Sequence, residues 1–581
     1  MRKALKRTVV MALAMTLACG MVGCGGGNDS SGNDSSSSST KMPKSEISVG
    51  VWDGGLRYNW AERWAEDFEK ANVNRSFEDG KMGVDVTVTP SKAFLDDKCA
   101  ETLTDYEADI VFNEQVNYYK FITNETAYNI DEWVTAPLTE FGETKSIEDK
   151  MSDWDKKYYG QDGGEYYGVP WNNSILAINY DIKLFEDNNF YYAATGEGDS
   201  DGFVTSIDTP RSLGPDGKTG IGDNGEDYTQ DDGMPATYDD FFKLCDKMVD
   251  SGVTPFTWAG GFQKYVTQLL YTLAADFEGY DDMQMNYTFD GEEDGLISID
   301  TATNVITRLE KTLINTDNGY LLRKQEGMYQ ALKFMERVIT TTDDNNQLKY
   351  INGSDCFGES VSHLNAQYKF LGGTLPGGTP VAMFIDGTWW YNEAYVAFNE
   401  MSALPGYGHY DRRIGLMPMP KATKDMVGQD ATWMSVFITT CTVNANIGEY
   451  SEDKIALIRE FFRYIHTDKA LTSYLYDAHS MRPYTFELTD FEESDFSTYA
   501  IQQYNIYNKS KVVQPYSSHY KIRYYLNDWH NNFESYVDGK GSYSYITTAF
   551  NAGVTAEEYF EGMVALMNKT KWDGMIIGAD V

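Results

Sequence analysis

Cysteine is scarce in this 581-residue chain: six in all, with no C-x-x-C pair among them. Zinc-ribbon and dithiol redox chemistry therefore have no ligands here. Positive charge is also in short supply, with 48 Lys and Arg against 88 Asp and Glu, a formal net charge of −40. Such a field repels phosphate, which argues against nucleic acid and against adsorption to anionic lipid. Beyond the first two dozen residues there is no long apolar run, so the body is expected to be soluble. H-E-x-x-H does not occur. Gly217-Lys218-Thr219 is not a P-loop, because Ser212 stands where the first glycine is required.

What is present begins with an address. Arg2, Lys3, Lys6 and Arg7 precede an apolar run over 9–21 that ends in Met21-Val22-Gly23-Cys24, the layout of a secretory signal over 1–23. The small residue before Cys24 makes this a lipobox-like ending with Cys24 as the acylated residue. Residues 25–40 contain no apolar residue to bury, so 24–44 is expected to be a flexible tether. Removing residues 1–23 takes away four positive charges and no negative ones, leaving −44. The expected location is the extracellular face of the cytoplasmic membrane, through a lipid anchor only. Cys99, Cys245, Cys356 and Cys441 lie far apart and read as small buried hydrophobes. Aromatics reach 14%, with 42 Tyr, more than core packing alone calls for.

The body has room for two domains. Residues 47–52 and 84–88 alternate like strands, and 108–112 is a short apolar strand. Between the first two, Trp60, Trp64 and Phe68 recur every fourth residue on one helical face, with Asn59 as the expected cap. Strands alternating with helices imply βαβ units and a parallel sheet. Residues 166–180 read as extended. Residues 195–236, rich in Gly and Asp, read as a surface insertion, and Thr237 as the cap of the helix that follows. Residues 381–385 form a strand and 455–465 an amphipathic helix.

Five segments in this order resemble the carbohydrate-binding, maltodextrin-binding-like group of extracellular solute-binding proteins of ABC importers. They are Val49-Gly50-Val51-Trp52-Asp53; Asp109-Ile110-Val111-Phe112; Tyr167-Gly168-Val169-Pro170-Trp171; Ala382-Met383-Phe384-Ile385-Asp386-Gly387-Thr388-Trp389; and Ile414-Gly415-Leu416-Met417-Pro418-Met419-Pro420. The resemblance implies an α/β, two-lobed periplasmic-binding-protein-like fold with a ligand cleft between lobes and a hinge that closes on ligand. It places an N-terminal lobe at 45–175 with a return over 416–470. The C-terminal lobe then takes 176–415 and 471–581. It also implies an oligosaccharide ligand, ABC permease subunits as partners, a monomer, and no enzymatic activity or required cofactor.

A sugar ring has apolar C–H faces and polar edges, so aromatic planes and nearby carboxylates and amides suit it. Trp389 is the first candidate for stacking, with Trp390 pointing the other way. Trp171, Trp258, Trp433 and Trp52 are further rings. Asp53, Asn113, Glu114 and Asp386 close strands at the edge where ligands bind open α/β sheets, and Arg482 is a candidate hydroxyl ligand. Trp60 and Trp64 are read as core. Glu197, Asp199, Asp201 and Asp208 have the spacing of an EF-hand-type loop for structural calcium, with Glu and Asp in place of the usual first and last ligands. Asp223, Glu226, Asp227, Asp231 and Asp232 form a second acidic cluster. The competing readings are a receptor for a polyamine or peptide and an extracellular glycoside hydrolase.

Cys24→Ala is expected to release the protein from membranes or leave it unprocessed. Fractionation with intact-mass measurement checks this, and normal processing with membrane retention overturns the lipoprotein reading.

Overall fold

The structure is a computed structural model that describes residues 42–160, 164–218, 230–375, 377–517, 529–530 and 533–577. Strand β1 (Ser45–Trp52) buries Ile47, Val49 and Val51, the alternate-residue pattern of a pleated strand. It pairs in parallel with β2 (Val84–Ser91) and β3 (Ile110–Glu114). The crossover between β1 and β2 is the helix Asn59–Ala71, which buries Trp60, Trp64 and Phe68. Its cap is Tyr58, not Asn59, whose amide instead donates to the Asp477 carbonyl at 3.1 Å.

Next come β4 (Gly168–Val169), β5 (Leu176–Asp181) and β6 (Thr254–Thr257). Strands β7 (Gly291–Glu293) and β10 (Thr312–Ile314) form one small antiparallel ribbon, and β8 (Ile297–Asp300) and β9 (Val305–Arg308) another. The remaining strands used below are β11 (Val381–Gly387), β12 (Ile414–Leu416), β13 (Thr432–Met434), β14 (Thr439–Val443) and β15 (Lys511–Val513). Two sheets organise the body, with orders β2-β1-β3-β14-β4 and β12-β5-β11-β6. Both are mixed, which corrects the expectation of a parallel sheet. β14 runs antiparallel to β3 and β4, and β5 antiparallel to β11 and β12. These strands arrive from the other sheet instead of through a βαβ crossover, so the rule that fixes parallel direction does not act on them.

The chain crosses between the sheets at 170–175, between β12 and β14, and again after the helix Asp468–Ala478. That helix packs on Asn59–Ala71, whereas Thr498–Lys509 packs on β12. The crossings are held side by side. Asn173 bridges Met481, and Ile175 bridges Ser435. Asn172 ties them together: its side-chain oxygen accepts from Tyr474 at 3.2 Å and Ser480 at 3.0 Å, and its carbonyl accepts from Thr439 at 2.9 Å.

Thr237 caps the helix Tyr238–Asp250, its hydroxyl accepting from the Asp240 amide. The acidic insertion is not wholly a surface loop. Phe203 and Val204 are buried, Phe203 stacks on Tyr192 at 4.4 Å, and Asp231 and Asp232 are buried. Asp223, Glu226 and Asp227 lie outside the described residues. Cys99, Cys245, Cys356 and Cys441 are free and buried. No described helix is long and apolar enough to cross a membrane.

Asn172→Leu strips two buried hydroxyls of their acceptor and is expected to cost about 2–5 kcal/mol. Guanidinium unfolding checks this; an unchanged midpoint means the crossings draw no stability from this side chain.

Candidate functional site

The indole of Trp389 stands where the two lobes meet. It follows β11, and Gly387 allows the ring to fold back, because a Cβ there would lie 2.0 Å from it. From the other lobe comes the loop after β1. A Cβ on Gly55 would lie 2.6 Å from the Trp389 ring, so only glycine lets the loop approach this closely. Tyr265 meets the ring edge-on at 5.3 Å, and Phe437 tilts against it at 5.0 Å. Trp389 is 7% exposed. The same loop docks by two further contacts: Asn392 donates to the Leu56 carbonyl at 2.6 Å, and the Arg57 guanidinium lies 3.4 Å above the Tyr395 ring.

Three carboxyl groups, those of Asp386, Glu393 and Glu114, act on Tyr265, the neighbour of this ring. Burial pushes Glu114, at the end of β3, up to about 7. Asp386, at the end of β11, is held well above the carboxylate range, first by burial and then by repulsion from Glu393. One Asp386 oxygen accepts from the Gly387 amide at 2.8 Å, and the other has no partner among the described residues. Glu393 is raised by burial, against the pull of His363 at 3.5 Å and a hydrogen bond from Gln367 at 2.6 Å. Buried oxygens of Asn113, Asn173 and Ser435 are likewise unpartnered among the described residues. Each such group costs about 1–3 kcal/mol unless something else satisfies it. Their positions at strand ends and crossings put that demand along the line between the lobes.

The other expected site residues divide. Trp52 is half-buried under the Lys92 ammonium at 5.0 Å, and Asp53 pairs with Lys92 at 3.3 Å; both lie at the end of β1, near the docking loop. Trp171 belongs to the core: it stacks on Trp60 at 5.5 Å and donates to the Asn113 carbonyl at 2.7 Å. Trp258 is buried and donates to the Cys356 carbonyl at 2.8 Å. Trp433, on β13, packs in the cluster that holds Trp390. Arg482 is also a core residue and not a free hydroxyl ligand. It donates to the Ile465 carbonyl at 2.7 Å, bonds His466 at 2.7 Å, and lies over Trp64 and Tyr484.

The residues of the calcium-type loop do not converge. Asp199 accepts from the amides of Asp201 and Phe203 and meets the Lys247 ammonium at 3.2 Å, while Glu197, Asp201 and Asp208 are exposed. An ion there has to displace that ammonium and draw in oxygens that now face solvent. Among the described residues, the carboxylates within 4.8 Å of one another are Glu278, Asp282 and Glu293.

Phe262, Lys264, Tyr265, Asn392, Glu393 and Phe437 escaped the sequence reading. Phe262, Lys264 and Tyr265 open the helix Gln263–Glu278 just beyond β6, and helix starts at strand ends are where α/β sheets place ligand contacts. Phe437 lies in a crossing segment and carries no local signal.

No protein-family profile and no curated protein matches the chain. Among solved structures, a protein from work on xylan utilization by the thermophilic bacterium Caldanaerobius polysaccharolyticus is similar, with a TM-score of 0.51, 12% identity, and 90% of this chain and 100% of that chain covered. A chitin oligosaccharide binding protein has a TM-score of 0.49 at 12% identity, over 90% of this chain and 98% of that one. The GacH receptor of Streptomyces glaucescens, determined unliganded and with acarbose, has 0.49 at 11% identity, over 92% and 99%. The first of these carries the fold: the chain has an α/β, two-lobed, periplasmic-binding-protein-like fold.

Trp390 packs among Phe370, Phe384 and Phe398, so Trp390→Ala is expected to cost about 3–5 kcal/mol. Trp389→Ala opens space only between lobes and is expected to cost less. Paired unfolding curves check the order, and a reversed order means Trp389 is the core ring.

Proposed function

We propose that this chain is a receptor for an oligosaccharide, anchored through Cys24 at the extracellular face of the membrane. It captures its ligand between the lobes and passes it to the permease subunits of an ABC importer, without chemical turnover. The lobes follow the two sheets, with 170–175, 435–438 and 479–482 as the hinge crossings. The observation that carries this reading is the Trp389 ring, placed between lobes against Tyr265 and Phe437, with Glu114 and Asp386 acting on Tyr265. An aromatic plane covers the C–H face of a sugar, while Glu114 and Asp386 meet its hydroxyls. The buried oxygens without partners support the same reading, since a polyol carries both donors and acceptors along its edge.

A thermal-shift screen tests it. The panel contains xylo-, chito- and malto-oligosaccharides, with spermidine and a tripeptide as rivals; xylo-oligosaccharides come first because the neighbour sharing the fold comes from xylan utilization. A ligand present at about 100 times its Kd stabilises the folded state by about 2.7 kcal/mol. Trp389→Ala is expected to weaken the best sugar by roughly 10- to 100-fold. Stabilisation by spermidine or the peptide alone overturns the sugar assignment, and chromatographic appearance of shortened sugars overturns the receptor.

A further inference from the structure

Four groups of the chain cover the Trp389 ring, and one of them comes from the other lobe. Gly387 packs against it, Tyr265 meets its edge at 5.3 Å, and Phe437 tilts against it at 5.0 Å. The fourth is Gly55, in the loop after β1. Together they leave the ring almost wholly buried. A sugar stacks on an aromatic plane only where a face is open, so one of the four has to leave. Gly387 is held two residues away in the chain. Tyr265 opens a helix that packs on β5 and β11 of its own sheet. Phe437 is tied into a crossing, where Val436 donates to the Ser174 carbonyl and Ile438 accepts from Gln115. Gly55 is the group carried away when the lobes part.

The loop that carries Gly55 is built to stay. Gly54 packs under the Trp52 indole, where a Cβ would lie 2.3 Å from the ring nitrogen. Leu56 is buried, and its carbonyl accepts from the buried Asn392 amide at 2.6 Å. Arg57 holds a left-handed backbone, with φ 56°, which a residue with a Cβ adopts at a cost. The strained turn is held from both sides. The Arg57 carbonyl accepts from the Trp60 indole at 3.1 Å in the first lobe. Its guanidinium lies 3.4 Å above the Tyr395 ring, on the helix Tyr395–Met401 in the second. Among the described residues that guanidinium donates no hydrogen bond and closes no ion pair, so Tyr395 is what it reaches for across the lobes.

We propose that residues 53–58 form a strap that occupies the sugar-stacking face of Trp389 in the resting protein, and that an oligosaccharide binds by displacing it. Arg57 and Tyr395 then set the affinity without touching the sugar. This rests on the oligosaccharide reading above and adds its regulation. The apparent affinity is the intrinsic one reduced by the fraction of molecules with the strap lifted, so loosening the strap strengthens sugar binding. A clamp that closed over bound sugar has the opposite sign, because losing its contacts weakens binding.

Two measurements on the same variants test it. One is hydrogen–deuterium exchange of the peptide covering 53–58 without sugar, and the other is calorimetric titration with the panel sugar that gives the largest melting shift. Arg57→Ala and Tyr395→Ala are each expected to speed exchange and to bind the sugar roughly 2- to 10-fold more tightly. The double variant is expected to gain little beyond either single one, because both remove the same contact. Arg57→Lys keeps a cation over the ring and is expected to fall between wild type and Arg57→Ala. Gly55 lies outside the left-handed region, so Gly55→Ala strains only the contact with Trp389 and is expected to act in the same direction. Melting curves identify any variant that does not fold; if Gly55→Ala is one, the half-buried Arg57 and Tyr395 decide. Unchanged exchange in Arg57→Ala and Tyr395→Ala overturns the strap. So does sugar binding that is unchanged or weaker in them while Trp389→Ala loses the sugar, and either result leaves the receptor standing. A wild-type protein that binds no panel sugar overturns both.

Discussion

Everything at the putting-together of the two sheets depends on a side-by-side set of crossing strands. Asn172 lies in one crossing and bonds to Tyr474, Thr439 and Ser480, which flank the others. A lobe motion that kept these bonds has to bend the crossings together, since none can slide without breaking a buried hydrogen bond. The contact lies beside these crossings: Phe437, in one of them, tilts against the Trp389 ring, which Gly55 approaches.

The contact is built from an aromatic ring and groups that resist being charged. Glu114 and Asp386 sit at strand ends, where the sheet's side chains run out and the loops begin, and burial raises both. Lys264 and Lys92 supply the nearby positive charge, but Lys92 already pairs with Asp53. The site is therefore poorly compensated within the chain itself. Burial of polar groups without partners is tolerated where a partner arrives from outside.

Much of the fold was readable from residue order because local rules act there. The alternation of β1 and β2 and the four-residue spacing of Trp60, Trp64 and Phe68 follow from strand and helix geometry. Thr237 as a cap follows from the orphan amides of a helix start. The rule failed at Asn59, where a carbonyl from a distant helix claimed the side chain. Sheet direction failed too, because β5 and β14 enter from the opposite lobe and no local pattern records that.

The sequence by itself determined the acidic charge, the helix and strand periods, and the glycine after β11 that frees Trp389 to turn. Only the tertiary structure decided which rings face the meeting of the lobes. Trp171, Trp258 and Trp389 each follow or end a strand and are alike in type. Two of them found backbone carbonyls for their indole nitrogens, while the third found a glycine from the other lobe. A tryptophan's role is set by what packs against its faces, and those neighbours are distant in the chain, 58 residues away for Trp171 and 98 for Trp258.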